Sequence, residues 1–79
     1  MKNIVSLNEL EINKKCIVCS LIASGSERRR LLDLGIIQGT KIEVLCKSPS
    51  GDPTAYFLRG IVIALRSECA RKIIVKSLN

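Results

Sequence analysis

The run Arg28-Arg29-Arg30-Leu31-Leu32-Asp33-Leu34-Gly35-Ile36-Ile37-Gln38-Gly39-Thr40 separates an apolar strand-like segment before it from an alternating one after it. The pattern predicts a helix over Glu27 to Leu34. Ser26 is placed to act as N-cap, and Glu27 puts a negative charge in the first turn. Leu31 and Leu34 share a face, with Leu32 beside them. Gly35 stands where a left-handed residue ends a helix, and Ile36 follows as the residue that packs back onto the last turn. A helix of about two turns is too short to persist alone, so it must dock on a sheet.

Upstream, Cys16-Ile17-Val18-Cys19-Ser20-Leu21-Ile22 is a continuous apolar run of strand length, broken by Ala23-Ser24-Gly25-Ser26. Ser6 and Glu9 have the spacing of a capping box for one helical turn. Downstream, Gly39 to Lys47 alternates: Ile42, Val44 and Cys46 face one way, and Lys41, Glu43, Leu45 and Lys47 the other. Pro49 and Pro53 bracket a loop that no sheet ladder accepts. Thr54–Leu58 and Ile61–Leu65 read as strands joined by Arg59-Gly60, which is hairpin spacing. Ser67 to Ala70 is a short helical turn, and Ile73 to Val75 the last strand. About five short strands, one short helix and tight loops predict a mainly β domain, a closed or nearly closed small barrel.

Seventy-nine residues make a single domain, 1–79, with one small core. A hydrophobic fraction of 47% argues against disorder. No apolar run approaches the roughly 18 residues of a membrane span, and the first ten residues contain no signal-peptide pattern, so a cytoplasmic location is expected. Four cysteines in or beside apolar runs fit free thiols in that compartment. The net charge of +6 suits an acidic protein face, nucleic acid or a membrane surface as partner, and equally suits solubility alone.

Cys16 and Cys19 have the spacing of a metal clip. On a regular strand, residues three apart point to opposite faces, so both sulfurs could meet one metal only if the strand bulged. With no second clip and no histidine, core or surface cysteines are expected, and no bound metal or cofactor. Arg28, Arg29 and Arg30 put positive charge at the start of a helix, where the dipole disfavours it. They read as a solvated face or as a surface for an acidic partner, with Arg28 and Arg29 the better exposed. Tyr56 and Phe57 are adjacent and so face opposite ways; Phe57 is taken as core and Tyr56 as surface. Two aromatics cannot furnish a proline-peptide groove or a base-stacking platform. Leu45, Leu58 and Val62 are candidates for an outer apolar patch. Asp33, Glu43 and Asp52 are scattered, and the glycines have no phosphate-cradling spacing, so no catalytic site is expected.

Taken together, Arg30-Leu31-Leu32-Asp33-Leu34-Gly35-Ile36, Gly39-Thr40, Gly51-Asp52-Pro53 and Ala64-Leu65-Arg66 resemble the signature of the FeoA family, small cytoplasmic proteins of bacterial ferrous iron uptake. The resemblance runs from Leu7 to Val75. It implies an SH3-like β-barrel with the helix inserted after the first strand. It also implies a non-enzymatic accessory of FeoB, the membrane transporter with a cytoplasmic GTP-binding domain. The domain is also similar to the C-terminal module of iron-dependent repressors, but without a helix-turn-helix ahead of it a stand-alone repressor is not expected. The expected docking surface combines Arg28 and Arg29 with Tyr56, Leu58 and Arg59. Nucleic acid and membrane insertion are not expected, and self-association is left open. The alternatives are a small basic barrel that binds nucleic acid and a cysteine-based metal-binding protein.

Overall fold

The computed structural model describes residues 3–78. In chain order the elements are β1 (Ile4–Ser6), a 3-10 turn (Leu7–Glu9), β2 (Lys15–Leu21), α1 (Gly25–Asp33), β3 (Lys41–Lys47), β4 (Thr54–Leu58), β5 (Ile61–Leu65), α2 (Ser67–Ala70) and β6 (Ile73–Ser77). The six strands form one antiparallel sheet in the order β1-β6-β2-β3-β4-β5. The mainly β reading holds, with three corrections. Among the described residues there are six strands where about five were expected, because three-residue β1 is too short to show alternation. The helix therefore follows the second strand and not the first. The sheet curls around its core without closing: β1 and β5 are its two edges.

The core lies on one face. Cys16 and Val18 of β2, Ile42 and Val44 of β3, Tyr56 and Leu58 of β4, and Ile73 and Val75 of β6 are all buried. Leu31 of α1 and Ile36 just beyond it cover one side, and Leu7, Leu10 and Ala70 another. Such burial contributes about 1.5–3 kcal/mol for each large side chain, which a two-turn helix needs in order to persist.

Helix α1 ends as its sequence requires. Gly35 has φ 92. Its N–H donates to the Leu32 carbonyl at 2.9 Å, and the Ile36 N–H to the Leu31 carbonyl at 3.0 Å. This is the Schellman arrangement, and it seats Ile36 beside Leu31 in the core. The helix starts earlier than the sequence suggests, at Gly25, with Ser24 and not Ser26 at the N-cap position, and no side chain caps it. Ser6 likewise makes no side-chain cap bond, so the capping box is not formed.

Beyond α1, the Thr40 hydroxyl donates to the Gly35 carbonyl at 2.8 Å and accepts from the Ile37 N–H at 3.2 Å. The Val18 N–H donates to the Thr40 carbonyl, and the Gly39 N–H to the Val18 carbonyl, both at 2.9 Å. These bonds tie the turn to β2. At the other end of the helix, Lys72 Nζ reaches Glu27 Oε1 at 2.8 Å and the Cys69 thiol donates to Glu27 Oε2 at 3.5 Å. Asp52, from the proline loop, accepts the Ser67 N–H at 2.8 Å and so supplies the cap that α2 lacks from its own residues.

Two irregularities redirect side chains. The β2–β6 register shifts between Val18 and Ser20, and the β3–β4 register between Val44 and Cys46. Cys46 therefore pairs with Ala55 and is exposed, instead of continuing the inward row of Ile42 and Val44.

Candidate functional site

The hairpin of β4 and β5 closes through Arg59 and Gly60, with Leu58 paired to Ile61. Both turn residues have positive φ, 50° and 82°. That is the type I′ requirement, normally met by Asn-Gly. An arginine in the left-handed region costs about 1–2 kcal/mol. The position gives it a seat over Gly35. Its Cδ lies 2.6 Å and its Nε 3.1 Å from the point where a β-carbon on Gly35 would stand. The guanidinium is thereby held at the C-terminal end of α1, where the helix dipole favours a cation.

Arg59 is one wall of a surface groove of about 220 Å³ on the outer face of the sheet, lined also by Lys15, Lys41, Glu43, Phe57 and Leu58. Strand register builds it. Lys15 pairs with Glu43, Glu43 with Phe57, and Phe57 with Val62, so one row crosses four strands on the face away from the core. A second row, Ile4, Lys76, Ile17 and Lys41, runs beside it. Phe57 is 41% exposed and Val62 60%. The groove thus offers an apolar shelf beside three cations and one carboxylate. That suits a partner segment with apolar side chains and an acidic margin.

The residues expected to dock are only partly brought together. Arg59 lies on the groove. Leu58 borders the groove but is a core residue at 1% exposure. Tyr56, expected at the surface, is a correction: it is 2% exposed and belongs to the core, and Phe57, expected in the core, takes the outer position at 41% exposure. The register decides this, because Tyr56 pairs with inward Val44 and Phe57 with outward Glu43. Burial raises the Tyr56 hydroxyl to a pKa of about 12. Arg28 and Arg29 are exposed on the first half of α1, and Arg28 Nη1 is turned back to the Leu21 carbonyl at 3.4 Å. Six or seven residues of chain separate them from Gly35, about 10 Å along a helical path, so they do not share the groove with Arg59. Of the expected outer patch, Val62 is exposed, Leu45 half-buried at the bulge, and Leu58 inside.

The sequence reading missed Phe57, Lys15, Lys41 and Glu43 as neighbours. A signal was available. A two-residue turn at Arg59-Gly60 makes Leu58 and Ile61 a pair and fixes the hairpin register. The pairing of β3 with its neighbours, however, follows from contacts distant in sequence.

A second hollow, of about 330 Å³, lies at the other end of β5 and is lined by Arg30, Pro53, Ala64, Leu65, Arg66 and Glu68 among others. Arg66 approaches Asp52 at 3.8 Å while its side chain stays 67% exposed.

All four cysteines are free thiols. Cys16 is fully buried, with its thiol pushed up to about 12 by burial, and Cys19 sits half-buried at the β2 bulge. Among the described residues no group of three or more His, Cys, Asp or Glu side chains could hold a metal ion. No helix among them is long and apolar enough to cross a membrane.

A family model described as the FeoA domain matches residues 5–77. The chain belongs to the FeoA family. It is 30% identical over 73 residues to an Fe(2+) transport protein A/Fe(2+) transporter FeoB fusion protein of Porphyromonas gingivalis (strain ATCC BAA-308 / W83). That match covers 92% of this chain and 9% of the fusion protein. A FeoA-like protein of Clostridium acetobutylicum, solved by NMR, is 39% identical, with a TM-score of 0.90 over 100% of this chain and 92% of that one. FeoA of Stenotrophomonas maltophilia, crystallised with zinc, is 28% identical, with a TM-score of 0.82 over 91% of this chain and 89% of that one. That protein is described as a prokaryotic SH3 domain protein and as a candidate activating factor of ferrous iron transport. The SH3-like architecture expected of this FeoA chain is therefore found in its family, here with an open sheet.

Proposed function

We propose that this chain is a non-enzymatic accessory of ferrous iron uptake that docks on the cytoplasmic part of a FeoB-type transporter. The observation that carries the reading is the P. gingivalis fusion, in which a relative of this chain is part of one polypeptide with FeoB. Covalent linkage gives two modules a high effective concentration, so modules found fused are good candidates for contact when separate. The outer groove supports the reading from the side of this chain. Phe57 supplies an apolar anchor, and Lys15, Lys41 and Arg59 surround it with positive charge. Docking alters transport or GTP turnover only by favouring one state of the transporter over another.

The test is titration of this chain against the cytoplasmic part of FeoB from the same organism, by calorimetry and by pull-down. Saturable binding that weakens with added salt is expected, since the groove cations are exposed. No binding at tens of micromolar by either method contradicts the proposal.

A further inference from the structure

We infer that the free edge of β5 is a docking site for an extended partner segment, apolar in its middle and acidic at both ends, which adds to the sheet as a seventh strand. This rests on the accessory reading above and specifies how the partner is held. Among the described residues β5 has β4 as its only strand neighbour in the sheet. Ile61, Val62 and Ala64 are exposed, and Ile63 is half-buried. Edge strands are usually protected by charge, proline or a bulge within the strand. β5, reading Ile-Val-Ile-Ala-Leu, has none of these.

The hairpin geometry says which backbone groups are on offer. Residues flanking a two-residue turn exchange hydrogen bonds, and the pattern then alternates along the ladder. Ile61, Ile63 and Leu65 therefore direct their N–H and C=O groups at β4. Val62 and Ala64 direct theirs outward. A segment laid along this edge would extend the row of Lys15, Glu43, Phe57 and Val62 by one strand, with β5 lying between it and the groove.

Charge chooses the occupant. Arg59 stands at one end of β5, beside Lys15 and Lys41. Arg66 stands at the other end, 3.8 Å from Asp52 but with its side chain still 67% exposed, and Arg30 and Glu68 line the same hollow. A second copy paired antiparallel about Ile63 would bring Arg66 opposite Gly60 and close to the other chain's Arg59, at both ends of the contact. Like charges set across a sheet are destabilising, and each chain already carries +6. A partner strand with a carboxylate near each end meets the same arginines favourably.

The experiment is amide hydrogen exchange of the full chain, free and with the cytoplasmic part of FeoB. A synthetic peptide with two valines and an isoleucine between terminal aspartates serves as an independent probe. Protection gained at the Val62 and Ala64 amides with both ligands, or with the peptide where the transporter does not bind, supports the edge site. Val62→Pro removes an outward N–H without touching the ladder to β4, and it should weaken binding about tenfold while the fold stays intact. Ala64→Glu, which keeps the backbone and repels the acidic ends of the segment, should do the same if the proline variant fails to fold. Transporter binding without protection at these two amides overturns the edge site and leaves the accessory reading standing. Peptide protection without transporter binding does the reverse. Absence of protection with both ligands, or stable dimers of the free chain lost in Val62→Pro, overturns the inference.

Discussion

Arg59 lies across the bare α-carbon of Gly35, joining the tip of the β4–β5 hairpin to the end of α1. A left-handed glycine and a left-handed arginine, 24 positions apart, fit together because one lacks a side chain and the other has a long one. Gly35→Ala should therefore be destabilising on two counts, the positive φ and the collision with Arg59. The loss should exceed about 1 kcal/mol in urea unfolding. Gly35→Ala with Arg59→Ala should recover the collision part and leave the backbone part.

Arg59→Asn separates stability from docking. Asparagine tolerates the left-handed region that arginine occupies at φ 50, so the turn itself should gain up to about 1 kcal/mol. The groove loses a cation at the same time. A higher midpoint in urea together with weaker transporter binding is the expected pair of results.

Leu31 is the helix residue most deeply seated in the core, at 1% exposure. Leu31→Ala should cost about 2–5 kcal/mol. A chain of this size has roughly 4–12 kcal/mol in all, so thermal unfolding should drop sharply. Leu32→Ala, on the exposed side of the same helix, should change stability far less.

The cysteines should react in the order of their burial. Cys46 is exposed and should be labelled first by a thiol reagent. Cys16, buried and held protonated, should react only on unfolding. Rapid labelling of all four thiols in the native state would contradict the packing of β2.

Stability should fall on both sides of neutrality. Burial raises Tyr56 and Cys16 to about 12 from ordinary values of 10 and 9. Above pH 9 the unfolded chain releases these protons before the folded one, so the folded state loses ground as pH rises toward 12. Tyr56→Phe should reduce that alkaline slope. In acid, the Lys72 ammonium holds Glu27 below its usual carboxylate range. Its contribution is present above pH 4.5 and lost as pH falls through the lowered value, a loss that Glu27→Gln should remove.

Much of this architecture is legible locally. The stop at Gly35, the hairpin at Arg59-Gly60, the short turn at Ser67 to Ala70 and the proline loop each depend on a few adjacent residues with distinctive backbone demands. What escaped reading depends on distant pairing. Tyr56 and Phe57 have nearly equal claims to the core, and only the partners on β3, Val44 and Glu43, decide between them. Cys46 turns outward because of a bulge that its own alternating strand does not announce. β1 becomes a strand through β6, which lies almost 70 residues away. The groove inherits these difficulties, since its walls come from β2, β3 and the hairpin, whereas the arginines that stood out in sequence lie elsewhere on α1.

On the proposed reading, a partner grips the outer face at Phe57. The most direct test of that grip is the affinity of Phe57→Ala for the cytoplasmic part of FeoB, measured by calorimetry beside the unaltered chain. Phe57 is 41% exposed, so the variant should remain folded. An anchor of this kind is worth about 2 kcal/mol or more, so affinity should fall at least about thirtyfold. A folded Phe57→Ala protein that binds as tightly as the unaltered chain would contradict the account.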